Sequence, residues 1–113
     1  MLEGNVGYTV KGNKVNLRID RINNHRNGGH SGSLKVSLIK KFNFYEGGSL
    51  SSDSYDLVGE YQAEVIKGNH YRHGISWWVD KLQTGKNSRR CYTMLLEEYQ
   101  SGEWKIVDWR NFD

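Results

Sequence analysis

The feature that most constrains this chain is a period-two alternation of apolar and polar residues, recurring between short glycine- and asparagine-rich breaks. Val15, Leu17 and Ile19 share one parity and Asn16, Arg18 and Asp20 the other, as in a strand buried on one side only. After Ile19 the phase slips at Ile22, which predicts a bulge or a strand end. Leu34, Val36 and Leu38 alternate with Lys35, Ser37 and Ile39, and the same phase continues through Phe42 and Phe44, predicting a long strand or a bent pair. In residues 56–67 a helical stripe of Val58, Tyr61 and Val65 competes with a strand face of Leu57, Tyr61, Ala63 and Val65. The strand is preferred because its polar face, Glu60, Gln62 and Glu64, is the cleaner one. Tyr71, His73, Ile75, Trp77 and Val79 then oppose His70, Arg72, Ser76, Trp78 and Asp80. Tyr92, Met94 and Leu96 make one late stripe and Trp104 and Ile106 another, with Val107 and Trp109 behind it, and Gln100-Ser101-Gly102 joins the two runs as a hairpin. With a weak strand near residues 6–10, the pattern predicts an all-β chain: one antiparallel, immunoglobulin-like β-sandwich of about seven or eight strands, spanning residues 1–113 as a single domain.

Composition is compatible with one thin core. A chain of 113 residues buries roughly two-thirds of its unfolded surface. The apolar share of 36% is low, but seven Tyr, four Trp and three Phe offset it because each ring covers a large area. Sixteen Lys and Arg against thirteen Asp and Glu give a net charge of +3 with the signs interleaved, and the only dense basic pairs are Lys40-Lys41 and Arg89-Arg90. A nucleic-acid reader needs a basic stripe or a recognisable motif, so nucleic acid is not an expected partner. Cys91 is the only cysteine, which excludes an intrachain disulfide and a cysteine-based zinc cluster. Residues 1–4 lack the charged head and apolar stretch of a signal peptide, and no run approaches membrane-spanning length, so membrane insertion is not expected.

Residues 23–34 read Asn-Asn-His-Arg-Asn-Gly-Gly-His-Ser-Gly-Ser-Leu, a polar, glycine-dense hinge suited to a tight turn. Its part from Asn24 to Leu34 resembles the Asn-x-Arg-x-Gly-Gly-x-Ser-Gly-x-Leu signature of a poorly characterised bacterial β-sandwich domain family, often a module of larger secreted or surface proteins. Tyr45-Glu46-Gly47-Gly48 is similar to that family's Tyr-Ser-Gly-Gly turn. Tyr92 to Tyr99 and Asp108-Trp109-Arg110-Asn111-Phe112 resemble its Tyr-x-x-x-x-Leu-x-Glu-Tyr and Asp-x-x-Asn-Phe ending. The chain departs from the family at Ile39-Lys40-Lys41 and at residues 84–88, where members carry a proline-bearing turn. The resemblance implies a β-sandwich, supplies no activity or catalytic residue to carry across, and leaves function open. It implies an extracellular or cell-surface setting if the chain belongs to a secreted parent. Otherwise a cytoplasmic protein is expected, and a free-standing copy also suits a small reading frame on a mobile element such as a gene cassette.

The candidates for chemistry are weak as catalysts. His70 and His73 are three apart, which on a strand sends them to opposite faces, and no third ligand lies at a zinc spacing. His73 on the apolar face reads as a hydrogen-bonded core histidine. Asp53 and Asp56 lack the oxygen spacing of a calcium loop. Ser31 lies in Gly29-His30-Ser31-Gly32-Ser33, but the second glycine comes one residue early for a nucleophile elbow and a strand rather than a helix follows. Glu97 and Glu98 point to opposite faces, so they are no carboxylate pair. No catalytic residue, cofactor or metal is expected. Trp78, placed outward by the inward phase of Trp77 and flanked by Arg72 and Asp80, is the better lead, because an exposed Trp with Arg suits a sugar ring or a protein interface. His25 and His30 are the hinge residues most able to meet a partner. The expected role is a non-catalytic binding module for a protein or carbohydrate. The competing readings are a homodimeric structural protein and, less favoured, a small hydrolase.

Overall fold

The structure, a computed structural model, describes residues 1–23, 32–48, 50, 55–63, 71–82 and 91–112. Among these lie seven strands: β1 (Leu2–Lys11), β2 (Lys14–Asn23), β3 (Leu34–Lys41), β4 (Asp56–Ala63), β5 (Tyr71–Asp80), β6 (Cys91–Gln100) and β7 (Glu103–Asn111). They form two antiparallel sheets, β1-β2-β5 and β4-β3-β6-β7, and the chain changes sheet after β2, β4 and β5. The result is an immunoglobulin-like sandwich. Among the described residues there is no helix, and so none long and apolar enough to cross a membrane.

The core between the sheets follows directly from the alternation. Val15, Leu17, Ile19 and Ile22 of β2 meet Leu34, Val36 and Leu38 of β3 and Met94 and Leu96 of β6. Each such side chain stabilises the fold by roughly 1.5–3 kcal/mol relative to exposure. One edge is closed by side chains. The Leu2 N–H donates to Asp108 Oδ2 at 2.8 Å, and the Arg110 guanidinium donates to the carbonyls of Leu2 at 3.1 Å and Gly4 at 2.9 Å. Backbone groups that would otherwise form an open strand edge are thereby occupied.

Strict alternation fails at defined places. The phase slip at Ile22 is real, yet β2 runs on to Asn23. The irregularity lies in its partners, as a register shift between Glu3 and Val6 of β1 and a left-handed Gly74 of β5 with φ of 63°, which glycine adopts without steric cost. Ile22 and Ile75 therefore both face the core, while Tyr71 and His73 turn outward. His73 is thus exposed and not a core histidine. Its ring lies 5.7 Å from that of Tyr71, over which the Arg21 guanidinium sits at 4.6 Å. β3 ends at Lys41, so Phe42 and Phe44 do not prolong it, and both are exposed because the chain turns there to bring Tyr45 back onto the sheet. In β4 a register shift opposite Leu38 and Ile39 puts Val58 in the main core and sends Leu57 to the other face. Val65 lies outside the described residues.

Candidate functional site

The outer face of a sandwich sheet is ordinarily polar. Here the outer face of the four-stranded sheet carries a second apolar cluster: Ile39, Tyr45 and Leu95 are buried, with Leu50, Tyr55, Leu57, Ile106 and Trp109 packed around them. Two departures from regular β structure build it. The first is a bulge in β7. Leu96 registers with Asp108 but Glu97 with Ile106, so Val107 is the extra residue. Val107 packs against the main core, and Trp109 emerges on the same outer face as Trp104 and Ile106. A bulge re-aims side chains in this way.

The second departure is the return of the β3–β4 connection over that face. Tyr45, only 3% exposed, is fastened by the Asn111 side chain. Asn111 Oδ1 accepts from the Tyr45 N–H at 3.2 Å and Nδ2 donates to the Tyr45 carbonyl at 2.9 Å. The same Oδ1 accepts from Thr93 Oγ1 at 2.6 Å. The Tyr45 ring meets Trp109 edge-on, with centroids 5.0 Å apart, and its hydroxyl donates to the Gly48 carbonyl. Burial raises the Tyr45 phenol pKa, and the negative charge of Glu97 adds to the rise. Gly47, at φ of 105°, passes so close to Trp109 that a Cβ there would lie 3.3 Å from the indole.

Between this connection and β7 lies a groove of about 630 Å³. Tyr45, Tyr55, Trp104 and Trp109 supply its rings, Leu95 and Ile106 its aliphatic floor, and Glu97, Glu103 and Lys105 its charges. Trp104 is held in place while it lines the groove, with Tyr99 packed edge-on at 5.4 Å and the Lys35 ammonium 4.5 Å from the ring centroid. Glu97 Oε1 accepts from Ser37 Oγ at 3.3 Å. Glu103 and Lys105 pair at 3.8 Å on an exposed rim.

The residues singled out from sequence are placed elsewhere. Trp78 does point outward and is 55% exposed. It adjoins a smaller concavity of about 380 Å³ shared with Lys14, Glu60, Val79, Asp80 and Leu82, in which Lys14 and Asp80 form an ion pair. Arg72 is not part of it. The two residues lie six positions apart, roughly 20 Å along a strand, and Arg72 registers with inward-facing Ile22 across the phase change at Gly74. His25, His30 and Ser31 lie outside the described residues, as do His70 and Asp53. Glu97 and Glu98 do take opposite faces: Glu98 is buried and accepts from the Gly32 N–H at 2.8 Å. Among the described residues no three His, Cys, Asp or Glu side chains gather to hold a metal ion.

Sequence reasoning missed the groove because alternation assigns Trp109 to the face opposite Trp104. A usable signal was present in two Trp residues on the last strand together with the Gly47-Gly48 turn after Tyr45. No family model, curated protein or solved structure matches the chain.

Proposed function

We propose that this chain is a non-catalytic binding module that engages its ligand in the groove between the β3–β4 connection and β7. The observation that carries the reading is the groove itself, whose roughly 630 Å³ and four aromatic residues lie within the range of ligand sites, about 300–1,000 Å³, built from apolar walls and a few placed polar groups. Burying aromatic surface on the solvent side of a sheet is useful to a site and unnecessary for the sandwich core. The groove displaces the Trp78 face as the leading surface because it is larger and draws its rings from both the β3–β4 connection and β7.

The test is a parallel screen of a glycan array and a displayed peptide library with the wild-type chain, Trp104→Ala and Trp78→Ala. A binder lost with Trp104→Ala and kept with Trp78→Ala supports the groove. A binder kept with Trp104→Ala and lost with Trp78→Ala overturns it in favour of the β5 face.

A further inference from the structure

We infer that the ligand of the groove is an uncharged carbohydrate chain, an inference that rests on the groove being the binding site. The lining offers the two complementary elements that a sugar presents. A pyranose has an apolar C–H face and a rim of hydroxyls. The indoles of Trp104 and Trp109 and the ring of Tyr55 supply flat apolar surface at the groove wall, and aromatic rings bring a large contact area at little cost in side-chain freedom. Glu97 supplies the acceptor. Its Oε1 already takes the Ser37 hydroxyl proton, no described residue is seen donating to Oε2, and a carboxylate oxygen makes a strong charge-assisted bond to a hydroxyl.

Charge argues for a neutral ligand. Among the described residues, Glu97 and Glu103 are offset by Lys105 in the lining and by Lys35 over Trp104, so these side chains carry no excess of either sign to select a phosphate, a sulfated chain or a cation. Shape argues against a folded protein partner. Standard protein interfaces spread over about 800 Å² and about 20–30 residues per partner, whereas this half-open groove is lined by twelve described residues. Preorganisation fits as well. Trp104 is clamped between Tyr99 and Lys35, and Trp109 is wedged against Tyr45, so little ordering remains to oppose binding.

The experiment is calorimetric and fluorescence titration of the chain with cello-, xylo-, manno- and N-acetylchito-oligosaccharides. At least one series is expected to bind with a Kd below about 1 mM, corresponding to roughly 4 kcal/mol. Trp104→Ala is expected to weaken that binding at least tenfold and Glu97→Gln at least fivefold, with Trp78→Ala unchanged. Far-UV circular dichroism confirms that each variant is folded, and Glu97→Gln keeps the test decisive if Trp104→Ala is not. Absence of binding to all four series at about 10 mM, well above the weakest useful affinity, overturns the carbohydrate assignment. If a peptide then binds and requires Trp104, the binding-module reading stands and only the ligand class falls. Sugar binding that survives both Trp104→Ala and Glu97→Gln overturns the groove itself.

Discussion

Asn111→Ala removes the side chain that fastens the β3–β4 connection to the last strand. It deletes three hydrogen bonds, from the Tyr45 N–H, to the Tyr45 carbonyl and from the Thr93 hydroxyl. Tyr45 and Thr93 are 3% and 0% exposed, but Asn111 is itself exposed, so water replaces part of what the amide supplied and the loss falls at the low end of three separate bonds. A buried polar group left unpaired costs about 1–3 kcal/mol, and for this linked set we take a total of about 3 kcal/mol, since the three bonds share one amide. Unfolding entropy of about 2.1 cal/mol/K per residue gives about 0.24 kcal/mol/K for a chain of 113 residues. The expected fall in Tm is therefore about 12 °C. Thr93→Val removes the hydroxyl with its donor and leaves Asn111 on Tyr45, so about 1 kcal/mol and about 4 °C are expected. Differential scanning calorimetry measures both, and hydrogen exchange at the Tyr45 amide reports the local release. If Asn111→Ala melts within about 2 °C of the parent, or the Tyr45 amide stays equally protected, the side chain is not the clamp its geometry describes.

Three further outcomes follow from individual contacts. A Cβ at Gly32 would lie 2.1 Å from the Tyr99 carbonyl oxygen, so Gly32→Ala is expected to cost at least about 3 kcal/mol, or about 12 °C, in the same calorimeter. Trp77 stacks on Tyr61 at 4.1 Å and packs on the core, so Trp77→Ala is expected to lose about 2–3 kcal/mol, whereas the exposed neighbour Trp78→Ala stays within about 0.5 kcal/mol in urea denaturation. Burial raises the phenol pKa values of Tyr45 and Tyr8, with Glu97 and Tyr92 reinforcing the respective shifts. The unfolded chain then releases these protons first, so their contribution is whole below about pH 10 and is lost as pH rises through the folded-state values. Tyr45→Phe is expected to start from a lower Tm, having lost its bond to Gly48, and to show a shallower alkaline decline above about pH 10. An equal or steeper decline would falsify the assignment.

The sandwich was legible because β2, β3 and β6 are central strands whose inner faces obey period two: Val15, Leu17 and Ile19, then Leu34, Val36 and Leu38, then Met94 and Leu96, all lie in one core. Motif-like residues were legible as a pattern but not in their task. The end of the hinge meets the end of β6, where Gly32 N–H donates to Glu98 and Tyr99 N–H donates to the Ser33 carbonyl at 2.9 Å. The Tyr45 turn meets Asn111. These pairs lie 66 residues apart in the chain, and a one-dimensional pattern carries no sign of which distant backbone group a polar side chain will serve.

The candidate site was hidden for a different physical reason. Face assignment along a strand accumulates parity, so one extra residue inverts every assignment beyond it. Val107 is such a residue in β7, Val58 in β4, and the left-handed Gly74 acts similarly in β5. In a regular β7, Trp109 would turn to the core face opposite Met94, where Arg110 now registers, Trp104 would stand without a second indole on its face, and Asn111 would lose its line to Tyr45. The bulge therefore creates the groove and its clamp together. It also separates two roles among the aromatics: Trp109 and Tyr45 belong both to the outer cluster and to the groove, so their loss confounds stability with binding. Trp104 lines the groove outside that buried cluster. Substitution at Trp104, with its support from Tyr99 and Lys35, is consequently the change that acts on binding with the least disturbance of the fold.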